Sequence, residues 1–224
     1  PRTPKQQEQR GKFATAFSFL KAIKPFIRIG YKELTQDKSA FNSAMSYTLK
    51  RAVTGSGKEI KIDFDRALVS MGTLMPIFEG AATVSNHQMT FNWKDNSGMG
   101  NAERTDIVMV LVYNKDREAA VYDTEAALRS DCHAGLQLPE DWQDDELVAY
   151  LSFCSTDGNC VANSICLPIS VIEIPEEEID VQTESIDTTH KRILPDKRTV
   201  HQSRITVHSL SAPPNEIQTY RYET

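Results

Sequence analysis

The sequence is poor in three features that mark particular classes of protein. No run of apolar residues in the 224-residue chain is long enough to span a bilayer. The 31 acidic and 25 basic side chains give a net charge of −6, which offers no support for nucleic-acid binding. Four cysteines are too few for a disulfide scaffold in a chain of this length. We therefore expect no membrane span, no nucleic-acid partner and no fold held together by disulfides.

Motifs that carry catalysis or bind metals are scarce as well. The five histidines are scattered and form no helix-spaced metal pair. Cys132 precedes His133, but a catalytic cysteine and histidine are neighbours in space rather than in sequence, so we interpret this pair as part of a loop. Residues 55–58 lack the first glycine of a phosphate-binding loop and are interpreted as a helix stop. We expect no enzymatic activity and no cofactor.

Cys154 and Cys160 flank the turn Asp157-Gly158, and their pairing depends on the loop between them. A two-residue type I′ turn would place Cys154 opposite Val161, whereas a three-residue loop with Gly158 in the left-handed conformation would place it opposite Cys160. The sequence leaves both registers open. We favour free thiols on a hairpin, because the cysteine spacing does not match the short knuckles of a zinc site either.

The first 57 residues predict amphipathic helices that dock on another part of the chain. Thr3 can cap a first helix with Pro4 in its first turn. Pro25 is expected to end this helix and to begin a short second one, and Ser39 to cap a third. The predicted apolar faces are Phe13, Phe17 and Leu20 on the first helix, and Phe41, Met45, Leu49 and Ala52 on the third.

From residue 59 the hydrophobic pattern changes to a period of two. Residues 60–64 predict a half-buried strand that continues through residues 69–74 after a bend. Residues 88–170 then alternate between apolar and polar with regular turn signals, a pattern typical of an antiparallel β-sandwich. Its seven strands are expected at about residues 82–84, 89–93, 105–113, 118–122, 136–138, 146–154 and 161–169.

The last fifty residues differ in kind from the rest. Residues 173–187 hold seven acidic side chains and no basic one, whereas residues 190–208 hold five lysines and arginines, three histidines and one aspartate. Alternation around Ile205 and Val207 predicts a short strand and makes these two residues binding candidates. Two interpretations stay open: a solvated tail, or an arm that pairs with a neighbouring subunit or an exposed sheet edge.

These patterns predict an α+β fold: N-terminal amphipathic helices, an antiparallel β-sandwich and an extended C-terminal arm. We divide the chain into a helical region (1–57), a strand and connection (58–81), the sandwich (82–170) and a charged extension (171–224).

The loop 95–101 is the best candidate for a polar site. Asp95, Asn96 and Asn101 place oxygen-bearing side chains around two glycines and could ligate calcium. The loop lacks the spacing of an EF-hand, and a turn in which Asp and Asn side chains bind their own backbone explains the same residues. We therefore expect no metal and retain calcium as the weaker alternative.

Two aromatic residues are candidates for binding a ligand. Trp142 lies in an acidic turn, where we expect it to be exposed, and Tyr150 could extend the same surface. Phe91 and Trp93 share one face of a strand and are expected in the core.

The segment 89–169 resembles an immunoglobulin-like or fibronectin type III module. Phe91-Asn92-Trp93 stands where such modules place their buried tryptophan strand, and residues 148–164 fit the final strand–turn–strand. The tyrosine typical of that fold is replaced, since Leu147 or Val148 falls near its place.

Residues 1 to about 170 are similar to an uncharacterised family found in Bacteroidota. The resemblance is carried by Pro1-Arg2-Thr3, residues 41–47, the loop 95–101, Asp157-Gly158 and Asn163-Ser164. The family has no assigned activity, so the resemblance implies no catalytic residue.

These observations predict a non-enzymatic structural or interaction protein that binds a protein partner or copies of itself. We expect a component of a larger assembly, such as a cell surface, a filament or a phage-like particle, with the C-terminal arm making the subunit contact. The alternative is a ligand- or glycan-binding β-sandwich module. The chain begins at Pro1 rather than at methionine, which leaves its compartment open.

Overall fold

The structure is a computed structural model that describes residues 3–172. Within these residues it has an α+β fold, as the sequence predicts. The helices are α1 (Pro4–Ala22), α2 (Lys24–Gly30) and α3 (Ala40–Arg51). The strands are β1 (Val53–Thr54), β2 (Lys61–Ile62), β3 (Gly80–Ser85), β4 (Gln88–Trp93), β5 (Ile107–Asn114), β6 (Ala119–Leu128), β7 (His133–Gln137), β8 (Leu147–Cys154), β9 (Ile165–Leu167) and β10 (Ile169–Val171). None of the described helices has the length and apolar character needed to cross a bilayer.

The helices begin where the sequence signals place them. Thr3 Oγ1 accepts a hydrogen bond from the Gln6 backbone N–H, and the Gln6 side chain accepts one from the Thr3 N–H, which completes a capping box. Helix α2 carries Pro25 in its first turn. Ser39 Oγ accepts from the Asn42 N–H at 3.2 Å at the start of α3. These predictions are confirmed.

The face that α1 turns toward the body differs from the predicted stripe. Leu20 is buried, but Phe13 and Phe17 are 51% and 43% exposed. Phe19 lies on the buried face instead, and its ring meets the Tyr113 ring edge to face, 5.1 Å between centroids. Because Ala16, Phe19, Leu20 and Ile23 also have helical spacing, the sequence contains two overlapping stripes, and only one of them packs on the body.

Two four-stranded sheets form most of the body. The outer sheet has the order β10-β3-β4-β7, and the central sheet has the order β6-β5-β8-β9. Neighbouring strands are antiparallel except β10 and β3, which are parallel. Phe91 and Trp93 of the outer sheet share a core with Val110 and Phe153 of the central sheet. Strand β5 is buried on both faces, as its continuous apolar run predicts.

The helices cover the other face of the central sheet. Phe19, Ile27 and Met45 pack there against Leu111 and Tyr150 in a second hydrophobic core. The body therefore has three layers: the helices, the central sheet and the outer sheet. The central sheet contributes side chains to both cores.

The strand predicted at residues 60–64 and 69–74 is largely absent. Only β2 forms a ladder, with β1. Four side chains from distant parts of the chain accept hydrogen bonds from backbone N–H groups of residues 69–75. The pairs are Ser164 Oγ with the Val69 N–H (2.9 Å), Asn163 Oδ1 with the Gly72 N–H (3.1 Å), Glu33 Oε1 with the Thr73 N–H (3.1 Å), and Asn101 Oδ1 with the Met75 N–H (2.8 Å). Backbone groups of Gly30, Val161 and Ser164 supply further bonds, but Leu74 forms only an isolated parallel bridge, with Ala162. The segment therefore forms no regular strand, and the strand prediction was wrong here.

Replacing His87 by glycine is expected to raise the free energy of unfolding by about 0.5–1 kcal/mol. Asn86 and His87 form the two-residue turn between β3 and β4, with φ angles of 46° and 57°. Asparagine tolerates this left-handed conformation, whereas histidine is strained in it and glycine is not. Urea denaturation measures the difference. Gln88→Gly changes the first residue of β4 and should lower the free energy of unfolding instead. A lower free energy of unfolding for both variants would contradict the prediction.

The hairpin around Gly158 adopts the first of the two predicted registers. Cys154 lies opposite Val161 in an antiparallel bridge. The turn itself is not type I′, because Gly158 has a positive φ (69°) but Asp157 does not. Cys154 belongs to the core under the helices, whereas Cys160 packs against the core between the sheets. The two thiols therefore point to opposite faces, and all four cysteines are free, as expected.

A short pulse of iodoacetamide at about pH 8 is expected to modify Cys132 and Cys160 before Cys166. Burial, followed by the charge of Asp65, raises the pKa of Cys166 to about 12, so little of the reactive thiolate is present. Burial also raises the pKa of Cys154. Mass spectrometry of the peptides gives the order of reaction, and denatured protein, in which the four thiols should react alike, is the control. Early labelling of Cys166 would count against the packing described here.

Candidate interaction surfaces

The loop 95–101 lies where the sequence predicts it, but its polar side chains bind the protein's own backbone. Asp95 Oδ1 accepts hydrogen bonds from the Ser97 hydroxyl and, at 2.9 Å, from the Ser97 N–H. The hydroxyl bond, followed by the N–H bond, lowers the pKa of Asp95. Asn101 accepts from the Met75 N–H at 2.8 Å and donates to the Thr73 carbonyl at 3.1 Å. The loop is thus a turn that fastens residues 73–75, which is the alternative to a calcium site that the sequence left open.

Arg129 binds Asn96, one of the candidate calcium ligands. Its guanidinium donates to Asn96 Oδ1 at 2.7 Å, to Asp106 Oδ2 at 2.9 Å and to the Met75 carbonyl at 2.8 Å. Arg129, Asp106 and Asn96 are all buried. A cation already in contact with the Asn96 oxygen repels a second one, which disfavours calcium, the weaker alternative from the sequence. Across residues 3–172 no cluster of three metal-binding side chains occurs.

The surroundings of Arg129 connect the two sheets. Its guanidinium carbon lies 3.7 Å from the centroid of the Phe153 ring, and its carbonyl accepts the Trp93 indole N–H at 2.8 Å. Burial lowers the pKa of Arg129 and the charge of Asp106 opposes that shift, so the guanidinium stays charged. Sequence reasoning missed this residue, because a buried arginine has no spacing pattern. Its position directly after the apolar residues 126–128 was the only signal.

Both aromatic binding candidates are buried. Trp142 is only 6% exposed and packs in the core between the sheets, although it lies in an acidic turn. Tyr150 is fully buried under the helices, and its hydroxyl donates to the Phe64 carbonyl at 2.7 Å. Burial raises the pKa of Tyr150 well above its ordinary value. The expected exposure of Trp142 was wrong, because the short turn Glu140–Trp142 folds the ring inward while its acidic neighbours remain outside.

The remaining candidates, Ile205 and Val207, lie outside the described residues, as does most of the predicted arm. Cys132 and His133 lie in the described part of the chain and contact different backbone carbonyl groups. Cys132 Sγ lies 3.6 Å from the Ser130 carbonyl oxygen, and His133 Nδ1 lies 2.8 Å from the Asp131 carbonyl oxygen. These contacts hold a tight turn before β7, in agreement with the loop that the sequence predicts.

A cleft of about 960 Å³ opens between α1 and the central sheet. Lys115 forms an ion pair with Glu146 there and lies 5.1 Å from the centroid of the Phe64 ring. Burial, followed by the charge of Glu118, raises the pKa of Tyr113 to about 12, so its hydroxyl is neutral at physiological pH. The cleft therefore combines a paired lysine with a protonated phenol.

Helix α1 carries an exposed aromatic ridge, formed by Phe13, Phe17 and the adjoining Phe41 of α3. The Phe13 and Phe17 rings stack with 6.2 Å between centroids, and Phe41 meets Phe17 edge to face at 5.8 Å. Arg10 and Lys21 are exposed and fall on the same helical stripe, one beyond each end of the Phe13–Phe17 pair. The ridge is thus apolar in its middle and basic at both ends.

A corner groove of about 570 Å³ lies where β10 leaves the outer sheet. Val171 and Ile172 at its edge are 73% and 53% exposed. Its apolar lining is completed by Val84, Leu138, Pro139, Trp142 and Leu147. Residues 139–147 beside it hold five acidic side chains and no basic one. Arg117 binds two of these acids, Asp141 and Asp145, so the rim keeps an excess of negative charge.

Charge is divided between the layers of the molecule. Residues 3–57 hold ten basic and three acidic side chains, a net charge of +7. Residues 82–172 hold five basic and fourteen acidic side chains, a net charge of −9. The aromatic ridge therefore belongs to a strongly basic layer, and the corner groove belongs to a strongly acidic one.

The family comparison covers most of this architecture. A family sequence pattern matches residues 1–168, which includes all three helices and the whole central sheet and ends directly before β10. This extent agrees with the resemblance found from the sequence. No curated protein and no solved structure is significantly similar to the chain. The protein therefore belongs to the family of unknown function DUF6266.

Proposed function

We propose that the protein is a non-enzymatic structural component of a larger assembly and that its C-terminal arm contacts a neighbouring subunit. One observation carries the proposal. Among the described residues, strand β10 stands at the edge of the outer sheet, and both its last residue Val171 and the following Ile172 expose apolar side chains. Exposed apolar side chains on an unpaired strand edge favour association with another chain.

The hydrogen bonds of the polar motif residues support a structural role for the protein. Asn96, Asn101, Asn163 and Ser164 belong to the segments that carry the family resemblance. Each of them binds backbone or the Arg129 side chain in the structure. Their polar groups are thus engaged in holding the body together, which is the role expected of hydrogen-bonded polar residues in a structural module.

The strand order supports an immunoglobulin-like or fibronectin type III arrangement. In such sandwiches strands A, B and E form one sheet, and strands C, F and G form the other. Strands β3, β4 and β7 correspond to A, B and E, and β5, β8 and β9 correspond to C, F and G, with β6 as an additional C′ strand. Buried Trp93 on β4 takes the place of the core tryptophan. A module of this kind suits a cell surface, a filament or a phage-like particle.

Sedimentation velocity of the full chain over a range of concentrations tests the proposal. We expect the chain to self-associate, and Ile205→Lys combined with Val207→Lys to weaken association because charges replace the apolar side chains of the predicted arm strand. Thr206→Lys combined with His208→Lys adds two lysines on the opposite side of the alternation and is the matched control. The proposal would be refuted if the full chain remains monomeric at high concentration, both alone and when mixed with the proteins that neighbour it in its native assembly.

The glycan-binding alternative has less support. It depended on exposed aromatic residues, and both Trp142 and Tyr150 are buried.

A further inference from the structure

We propose that the aromatic ridge of one copy docks into the corner groove of a second copy, so that the chains associate head to tail. This inference rests on the proposed function, and it names the partner and both surfaces. It concerns residues 3–172 and does not require the arm.

The two surfaces match in apolar character. Phe13 and Phe17 project two stacked rings from the exposed side of α1, which also carries Arg10 and Lys21. The corner groove presents an apolar lining that ends in exposed Val171 and Ile172. Burying exposed aromatic rings in an apolar groove is the arrangement by which a helix commonly anchors itself to a protein partner.

The two surfaces also match in charge. Arg10 and Lys21 lie about 16 Å apart along α1, with the aromatic pair between them. Glu140 and Asp144 are exposed in the acidic segment 139–147, other residues of which line the groove, so docking brings basic side chains near this acidic segment. Opposite charges around an apolar contact accelerate association and select its orientation.

The same charges disfavour a symmetric dimer. Two ridges facing each other would bring Arg10 and Lys21 close to their own copies, and two grooves would do the same with the acidic rim. Ridge-to-groove contact avoids both repulsions. Because the ridge and the groove are different patches of one molecule, the contact is heterologous and generates a ring or an open filament.

Two defective variants of the full chain test the pairing directly. Phe13→Glu combined with Phe17→Glu removes the ridge and leaves the groove intact. Val171→Glu combined with Ile172→Glu removes the groove and leaves the ridge intact. All four positions are exposed, so both variants should fold, which circular dichroism checks. Phe78→Glu, at an exposed phenylalanine outside both surfaces, is the matched control.

We expect each variant alone to associate on the order of tenfold or more weakly than the wild type in sedimentation velocity. An equimolar mixture should form a 1:1 dimer that grows no further, because it contains one intact ridge and one intact groove. Association of the wild type and of Phe78→Glu should be weaker at about 0.5 M than at about 0.05 M salt.

Four results would overturn the inference. Both variants could assemble like the wild type, as they would if the chain's own residues after Ile172 filled the groove. The mixture could also fail to form a dimer. If the Ile205 and Val207 substitutions alone abolish assembly, the arm makes the contact, and the proposed function stands without this inference. If the wild type itself stays monomeric, the proposed function fails as well.

Discussion

Arg129→Ala is expected to lower the free energy of unfolding by about 3–5 kcal/mol, because it leaves the buried Asp106 carboxylate without its partner. Arg129 and Asp106 are both buried and 2.9 Å apart. The substitution also removes the donors that bind Asn96 and the Met75 carbonyl. The loop 95–101 and the segment 69–76 would thus lose one of the contacts that join them.

Urea denaturation monitored by tryptophan fluorescence measures this loss. Arg117→Ala is the matched control, since Arg117 forms two ion pairs at the surface with Asp141 and Asp145. Its removal should cost about 1 kcal/mol or less. If both variants lost the same free energy of unfolding, the buried ion pair would contribute no more to stability than the surface ion pairs. Arg129→Lys should recover only part of the stability, because an ammonium cannot reproduce three donors in one plane.

Trp93→Ala is expected to cost about 3–5 kcal/mol, the range for removing a large aromatic side chain from a core. The Trp93 ring contacts Phe153 edge to face, with 6.2 Å between centroids, and so connects the outer and central sheets. Its indole N–H also binds the Arg129 carbonyl at 2.8 Å. Removal therefore opens a cavity and leaves a buried acceptor unpaired.

Trp93→Phe separates these two effects. It keeps most of the ring and loses the N–H, so a loss of about 1–3 kcal/mol is expected. Asn92→Ala, on the exposed side of the same strand, is the control and should change stability by about 0.5 kcal/mol or less. A tolerated Trp93→Ala would mean that the two sheets do not depend on this contact. Because Trp93 and Arg129 share a hydrogen bond, the losses of the double variant should not add.

Features with local causes could be predicted from the sequence. Thr3 and Ser39 cap helices because their own hydroxyls reach the first turn, and Pro25 begins α2 because its ring prevents α1 from continuing. All seven strands expected between residues 82 and 169 correspond to observed strands, since alternation of burial within a strand is also a local property.

Features that depend on distant partners could not be predicted. The period-two pattern at residues 69–74 looks like a strand, and only the three-dimensional structure shows Ser164, Asn163 and Glu33 supplying its hydrogen bonds. Trp142 was expected outside because its neighbours are acidic, although the backbone turn decides where its ring points. The net charge of −6 likewise gave no sign that the helical layer is basic and the two sheets are acidic, because their opposite charges largely cancel in the total.

Strand β5 of the central sheet is buried on both faces. Met109, Leu111 and Tyr113 on one side of β5 and Val108, Val110 and Val112 on the other are committed to different neighbours. Heating should therefore melt helices and strands in a single transition, because neither half can detach without wetting the same strand. A shortened chain that starts after α3 would carry an uncovered apolar sheet and should precipitate.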